Sequence, residues 1–103
     1  MTERAETRDD VLRILRAHEA ELRAMGIERL DLFGSFARDE AGPESDVDLY
    51  ASFVPGASLA ATRYMARRYA IEDLVGRSVD LLSGPFDNAY FYRAFRKDAV
   101  HVL

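Results

Sequence analysis

The sequence contains no cysteine and no tryptophan, and only three of its 103 residues are proline. Without cysteine, neither disulfide bonds nor thiolate zinc sites can form. No apolar run approaches the roughly 20 residues that a membrane-spanning helix needs, and the first residues, MTERAETRDD, contain no apolar signal core. These absences predict a cytoplasmic protein without a membrane partner.

A strong positive charge is also missing, because the net charge is -4 and the pI is about 5.1. A protein that binds nucleic acid on its own usually needs a basic face, and acids elsewhere balance the arginines at Arg63, Arg67 and Arg68. We therefore expect no autonomous nucleic-acid binding, and we expect these arginines to face solvent rather than line a cleft. The length and the 49% hydrophobic content predict a single domain, residues 1–103, with one core.

Hydrophobic periodicity predicts alternating helices and strands. The predicted helices run from about Thr7 to a stop at Gly26, from an N-cap at Ser58 to Val75 before Gly76, and from Asn88 to about Lys97. The predicted strands are 27–33, 46–53 and 78–82, with 100–103 as a short edge strand, and residues 34–40 form a turn and a short helix. This order indicates an α/β (α+β) fold in which a small sheet is flanked by helices.

The most informative stretch is LFGSFARDEAGPESDVDL, residues 32–49, whose second strand opens with Asp46 and Asp48. Strand side chains alternate between faces, so these two acids point the same way. Two carboxylates ~5 Å apart repel by roughly 3 kcal/mol at an effective dielectric near 20, unless solvation, protonation or a divalent cation relieves them. Mg²⁺ suits the last option, since it binds one or two carboxylates together with substrate phosphate oxygens. The alternative is a solvated pair at a strand end, although aspartate is depleted in strands.

The first strand of this stretch ends in a Gly34-Ser35 turn. Glycine lets a backbone approach a ligand closely, and the N–H groups that open a following helical turn can bind an anion. Ser35 adds a hydroxyl. The alternative is an ordinary strand-to-helix turn with a serine cap. Beside the two acids, the turn predicts a phosphate cradle and therefore a magnesium–nucleotide site.

A third acid, Asp80, lies in the predicted strand SVDLL, on the face opposite Val79 and Leu81. An acid inside so short an apolar run contradicts strand preference, and such violations concentrate at functional sites. The alternative is a lone solvated acid on an edge strand.

The predicted last helix is dense in aromatic residues, with Tyr90, Phe91, Tyr92 and Phe95 within six positions. Four aromatic side chains so close together wrap too far around a helix to face one core. Two interpretations are open: an exposed partner surface, or a crowded core in a small domain.

The pattern GSFAR, an interval of six residues and SDVDL resembles the minimal nucleotidyltransferase signature, GS-x-A-R-G…SD-x-DL, of the DNA polymerase beta superfamily. The resemblance extends in element order from roughly Ile27 to Val102, with one departure: Asp39 stands where the family usually has glycine. It implies a mixed sheet like that of the polymerase beta core, ATP as substrate and two Mg²⁺ ions. The residues that it assigns to nucleotide binding are Gly34, Ser35, Arg38 and Ser45, and those that it assigns to catalysis and metal binding are Asp46, Asp48 and Asp80.

Within this resemblance, Asp80 helps to deprotonate the acceptor hydroxyl or binds the second ion. Arg38 either braces the loop against an acid or touches phosphate. Larger members of the superfamily carry an additional acceptor-binding domain, for which this chain leaves no room.

We therefore expect another protein to recognise the acceptor. This expectation matches the resemblance of the chain to the free-standing MNT antitoxins that pair with HEPN-family ribonuclease toxins. This similarity implies AMP transfer from ATP to a tyrosine hydroxyl of such a toxin. Two alternatives stay open: a non-catalytic antitoxin that blocks its partner sterically, and a homodimeric nucleotidyltransferase that acts on an antibiotic or another small molecule.

Overall fold

Helices and strands alternate along residues 4–84 and 89–103, which are the residues that the computed structural model describes. The helices are α1 (Arg8–Ala17), α2 (Glu19–Ala24), α3 (Gly34–Ala37), α4 (Ala61–Val75) and α5 (Ala89–Asp98). The strands are β1 (Ile27–Phe33), β2 (Val47–Phe53), β3 (Val79–Ser83) and β4 (Val100–His101). They form one sheet in the order β3-β2-β1-β4, in which β2 and β3 are parallel while β1 is antiparallel to β2 and β4. The mixed sheet flanked by helices is confirmed.

Strand β2 has one buried face and one polar face. Val47, Leu49 and Ala51 are fully buried, whereas Asp48 and Tyr50 between them are half-buried. The buried face packs with apolar residues of α1, α2 and α4 into one hydrophobic core. The polar face is left for other contacts, as the alternation of the sequence predicts.

The first helix begins where predicted but is not continuous. Thr7 and Asp10 form a capping box, and the Glu6 backbone N–H lowers the pKa of the Asp10 carboxyl. The helix then breaks at His18, whose backbone has a φ of -110° and a ψ of 25° and whose ring Nδ1 lies 2.9 Å from the Ile14 carbonyl oxygen. The second segment ends before Gly26, which has a φ of +88°.

Strand β1 spans the predicted residues, and the other boundaries differ by at most three residues from those predicted. Helix α4 begins after Ala60, which caps it without a side-chain hydrogen bond, and ends at Val75 as predicted, before the left-handed Gly76. Strand β2 starts one residue after Asp46. The predicted start of the last helix, Asn88, lies outside the described residues. None of the helices described is both long and apolar enough to cross a bilayer.

The expectation that the arginines of α4 all face solvent was wrong for Arg67, which is only 6% exposed. Its Nε donates to the Met25 carbonyl (2.9 Å) and its Nη1 to the Ser58 carbonyl (2.7 Å). Its guanidinium carbon lies 4.4 Å from the centroid of the Phe53 ring. A guanidinium can be buried when carbonyl oxygens and an aromatic face take the place of water. Arg67 therefore holds the segment before α4 against the sheet.

Candidate active site

Two of the predicted acids are neighbours on adjacent strands. Asp48 of β2 is in register with Asp80 of β3 on one side and with Phe33 of β1 on the other. In-register residues of paired strands project from the same face, and adjacent strands lie ~4.8 Å apart. The structure thus brings Asp48 and Asp80 together on the polar face of the sheet.

The third predicted acid, Asp46, interacts with Asp48 through its charge. Burial raises the pKa of the Asp48 carboxyl above its ordinary value of 3.8, and the charges of Asp80 and Asp46 raise it further. The positive charge of Arg38 acts in the opposite direction. Asp46 is exposed just before β2. The charges of Asp46 and Asp80 therefore both act on the carboxyl of the half-buried Asp48.

The Gly34-Ser35 turn lies directly against the same carboxylate. Gly34 has a φ of +73°, and a Cβ atom placed there would overlap Asp48 Oδ2 and lie 3.1 Å from Asp48 Cγ. Only a residue without a side chain allows this approach. The structure therefore places the turn beside the acid pair.

Divalent cations fit the chemistry of this donor set. Carboxylate oxygens are the ligands that hard cations such as Mg²⁺ prefer, and the like charges that raise the pKa of Asp48 would be relieved by a cation. Over residues 4–84 and 89–103, no three carboxylate or imidazole groups are arranged as a ready metal cage. Mg²⁺ in nucleotide enzymes commonly takes one or two carboxylates and completes its shell with phosphate and water. The assignment of Asp46, Asp48 and Asp80 as metal ligands stays a prediction.

Arg38 makes bracing contacts. Its Nε donates to Glu40 Oε2 (3.0 Å) and its Nη1 to Asp98 Oδ2 (3.1 Å), so it joins the loop after α3 to the end of α5. Of the two interpretations of this arginine, bracing against an acid is the one seen. Its predicted contact with a nucleotide has no counterpart in these bonds and stays a prediction.

Asp39, which departs from the family pattern, adopts the conformation that the family's glycine would supply. Its φ is +58°, the single positive value at a non-glycine residue in the described part of the chain. Aspartate tolerates the left-handed region better than most residues. Its Oδ1 also accepts the Arg8 backbone N–H (3.2 Å), which links the loop to the start of α1. Asp39 therefore occupies a left-handed position, which is the conformation that glycine favours.

The remaining predicted nucleotide-binding residues lie in the two loops that flank the acids. The Ser45 hydroxyl accepts the Gly42 N–H (2.9 Å) and closes a turn just before Asp46. Ser35 is half-buried in the first turn of α3. Both positions adjoin the acids, and a role for either hydroxyl in phosphate binding stays a prediction.

Helix α5 lies lightly over the polar face, and none of its residues is buried. The Phe33 ring, next to Asp48 in register, meets the Phe95 ring with centroids 5.3 Å apart, and the Tyr50 ring meets it at 5.2 Å. Tyr90, by contrast, is 82% exposed. The aromatic helix therefore has one side against the sheet beside the acids and another side toward solvent. It is not part of a crowded core, and a partner surface on its exposed side stays a prediction.

One residue that holds the acid-bearing loop has no signature in the sequence. Arg77, between α4 and β3, is 9% exposed and donates to backbone carbonyls of the 42–45 turn. A basic residue after a helix C-terminus usually satisfies the helix dipole, and no local pattern predicts contacts with residues more than 30 positions away.

Comparisons with known proteins agree with this geometry. The family model of the nucleotidyltransferase domain matches residues 13–101. The protein adenylyltransferase MntA of Thermococcus cleftensis is 36% identical over 77 residues, which are 74% of this chain and 76% of that protein. A candidate protein adenylyltransferase of Methanocaldococcus jannaschii is also 36% identical over 58 residues, so the match spans 56% of this chain and 60% of that relative.

Solved structures show the same fold. A minimal nucleotidyltransferase that is 30% identical superimposes with a TM-score of 0.65, covering 86% of this chain and 93% of the other. A chain from the complex of tri-AMPylated Shewanella oneidensis HEPN toxin with MNT antitoxin gives a TM-score of 0.61 at 13% identity, covering 89% and 71%. At that identity only the fold is shared. The match over residues 13–101 shows that this chain belongs to the nucleotidyltransferase family.

Proposed function

We propose that this chain transfers AMP from ATP to a tyrosine hydroxyl of a partner HEPN-family toxin and thereby acts as its antitoxin. The observation that carries the proposal is the half-buried Asp48, which faces Gly34 and lies in register with Asp80. A protein as acceptor is supported by the similarity to the protein adenylyltransferase MntA and by the fold shared with a chain of the complex between AMPylated HEPN toxin and MNT antitoxin. The whole chain would form the catalytic domain and would work in the cytoplasm, where ATP is available.

The proposed reaction is an in-line displacement at the α-phosphorus of ATP. The tyrosine oxygen forms a bond to phosphorus and loses its proton toward Asp80, while the bond from phosphorus to the α,β-bridging oxygen breaks and pyrophosphate leaves with the electron pair. Asp46 and Asp48 would hold Mg²⁺, which would supply positive charge to offset the negative charge of the phosphates. Gly34, Ser35 and Ser45 would border the phosphates.

The test uses ATP labelled at either the α or the γ phosphate, together with Mg²⁺ and a HEPN toxin encoded beside this chain. We expect the α label, but not the γ label, to move to the toxin, because AMP and not the terminal phosphate is transferred. Asp73→Asn, on the exposed face of α4, serves as the control of equal charge change for Asp46→Asn and should keep the activity.

Transfer of neither label, with a tight complex, would overturn catalysis in favour of a steric antitoxin. Transfer to an aminoglycoside or another small hydroxyl compound, without the toxin, would favour the small-molecule enzyme. A transfer that persists in Asp46→Asn would contradict the assignment of that acid.

The solvent-facing side of α5, which carries Tyr90, is the surface that we assign to the toxin, because the opposite side of this helix packs beside the acids. Large exposed aromatic residues are enriched among those that dominate protein interfaces. We expect Tyr90→Ala to raise the Kd for the toxin about tenfold, measured by calorimetry. Tyr69→Ala, which removes a 53% exposed tyrosine from α4, is the matched control and should leave the Kd unchanged. Equal affinities of the two variants would place the interface elsewhere.

A further inference from the structure

Arg77 connects three segments that are distant in sequence. Its Nε donates to the Ala5 carbonyl (2.6 Å), and its Nη1 lies within hydrogen-bond distance of the carbonyls of Gly42 (3.0 Å), Pro43 (3.1 Å) and Ser45 (3.3 Å). Its guanidinium carbon also lies 5.1 Å from the centroid of the Phe36 ring in α3. One side chain thus contacts the N-terminal segment, the 42–45 turn and the helix after the Gly34-Ser35 turn.

The electrostatic setting of Arg77 is unusual for a surface loop. The residue is 9% exposed, and within the described part of the chain its guanidinium pairs with backbone carbonyls rather than with a carboxylate. A buried cation is tolerated only when its donors are well satisfied. The planar fork of arginine can meet several carbonyls at fixed angles, which a lysine ammonium cannot reproduce. These contacts therefore tie the 42–45 turn to the segment between α4 and β3.

The segments that Arg77 holds are those that carry the acids. Ser45 leads directly into Asp46 and then Asp48, and the Val47 N–H donates to the Ser78 carbonyl (2.9 Å), one residue after Arg77. Asp80 follows Arg77 by three residues on β3. The Phe36 contact fixes the other side of the site, since α3 begins with Gly34 and Ser35. The Arg77 guanidinium therefore contacts or adjoins the segments that carry all three acids and the glycine turn.

We propose that Arg77 is a positioning residue that sets the geometry of the divalent-cation site by fixing the 42–45 turn against β3 and α3. This role rests on the proposed function, because it concerns the acids assigned to the cation. Removing the guanidinium would let the turn move without removing any ligand. Partners that orient metal ligands commonly change metal affinity by 10–100-fold when they are lost.

Arg67 supplies a matched control. It too is a buried arginine that donates to two carbonyls and lies over an aromatic ring, but its contacts are at the Phe53 end of β2, five residues from Asp48 or roughly 17 Å along the strand. Arg67→Met and Arg77→Met should lower the melting temperature by similar amounts. The two variants should therefore differ only in properties that depend on the acid site.

The measurement is a titration with Mn²⁺ alone, in which the electron paramagnetic resonance signal of the free ion reports binding. We expect Arg77→Met to raise the Kd for Mn²⁺ about tenfold and to lower kcat of AMP transfer with little change in KM for ATP. Arg67→Met should leave the Kd at the wild-type value. Arg77→Lys, which keeps the charge but loses the planar fork, should give an intermediate Kd, and it replaces Arg77→Met if that variant does not fold.

Equal Kd values for wild type and Arg77→Met would overturn the positioning role, even if the wild-type chain transfers AMP and the proposed function stands. A parallel rise of the Kd in Arg67→Met would overturn it as well, because the effect would then follow general stability. A wild-type chain that binds Mn²⁺ but transfers no AMP would overturn the proposed function, while the ratio of the two Kd values would still decide the role of Arg77.

Discussion

Asp48→Asn should abolish AMP transfer and, at the same pH, raise the melting temperature of the protein. Loss of one charge-stabilising group from a catalytic site lowers kcat on the order of 10²–10³-fold, and Asp48 is the most buried of the three acids. The stability gain has a separate cause. Burial and the charges of Asp80 and Asp46 raise the pKa of Asp48 in the folded chain, so the folded state binds its proton more tightly than the unfolded state does.

The sign of the pH dependence follows from that inequality. The contribution of the Asp48 carboxyl to the free energy of unfolding is fully present below its ordinary pKa of 3.8. This contribution is lost as the pH rises through the raised pKa that the carboxyl has in the folded chain. Asparagine carries no charge, so this loss disappears. We expect Asp48→Asn to melt at a higher temperature than wild type at pH 7. The difference should shrink as the pH is lowered toward 4.

The control for this measurement is Asp73→Asn, which changes the net charge equally at an exposed site and should shift stability by no more than ~0.5 kcal/mol. With ATP and Mg²⁺ added, wild type should melt at a higher temperature than Asp48→Asn, because the ligand stabilises only a chain that binds it. If Asp48→Asn melts below wild type at pH 7, the charge of Asp48 does not destabilise the folded chain. If the variant keeps the full magnesium-dependent shift in melting temperature, Asp48 is not a metal ligand.

Local sequence patterns predicted most of the sheet and the acid-bearing positions. The range of β1 matches the prediction, and the alternation along β2 placed Asp48 on the polar face, because both follow from burial with a period of two residues. Asp80 was found as an acid that violates strand preference, and the Gly34-Ser35 turn was found because glycine lets a backbone approach a ligand closely. Such signals need only neighbouring residues.

Two of the contacts that the patterns missed involve partners far away in sequence. Arg77 bonds to carbonyls 32 to 72 positions away, and Arg38 pairs with Asp98 60 positions away. The break at His18 is a local event within an otherwise helical periodicity, where the ring approaches the Ile14 carbonyl. Asp39 could have been placed from the sequence, since a position that usually holds glycine and here holds aspartate suggests a left-handed backbone.

Gly34→Ala should reduce both stability and transfer, because the new methyl group would occupy space taken by the Asp48 carboxylate. Two effects add up. The left-handed backbone at a φ of +73° disfavours alanine by ~1 kcal/mol, and the carboxylate must move to relieve the overlap. A displacement of the order of 1 Å in a catalytic group can lower kcat about 10²-fold. We expect that loss of kcat, and a fall in melting temperature of about 10 °C.

Gly56→Ala separates the two effects. Gly56 also has a left-handed backbone, with a φ of +86°, but a Cβ atom there would meet nothing within 4 Å. It should therefore show the backbone penalty alone and retain full transfer activity. In a chain that already carries Asp48→Ala, the overlap with the carboxylate is gone and a Cβ contact of 3.3 Å remains, so Gly34→Ala should destabilise the protein only slightly more than Gly56→Ala does. If Gly34→Ala is no worse than Gly56→Ala in the wild-type chain, the carboxylate does not rest against the glycine turn, and the cradle and the acids would have to be assigned to separate parts of the surface.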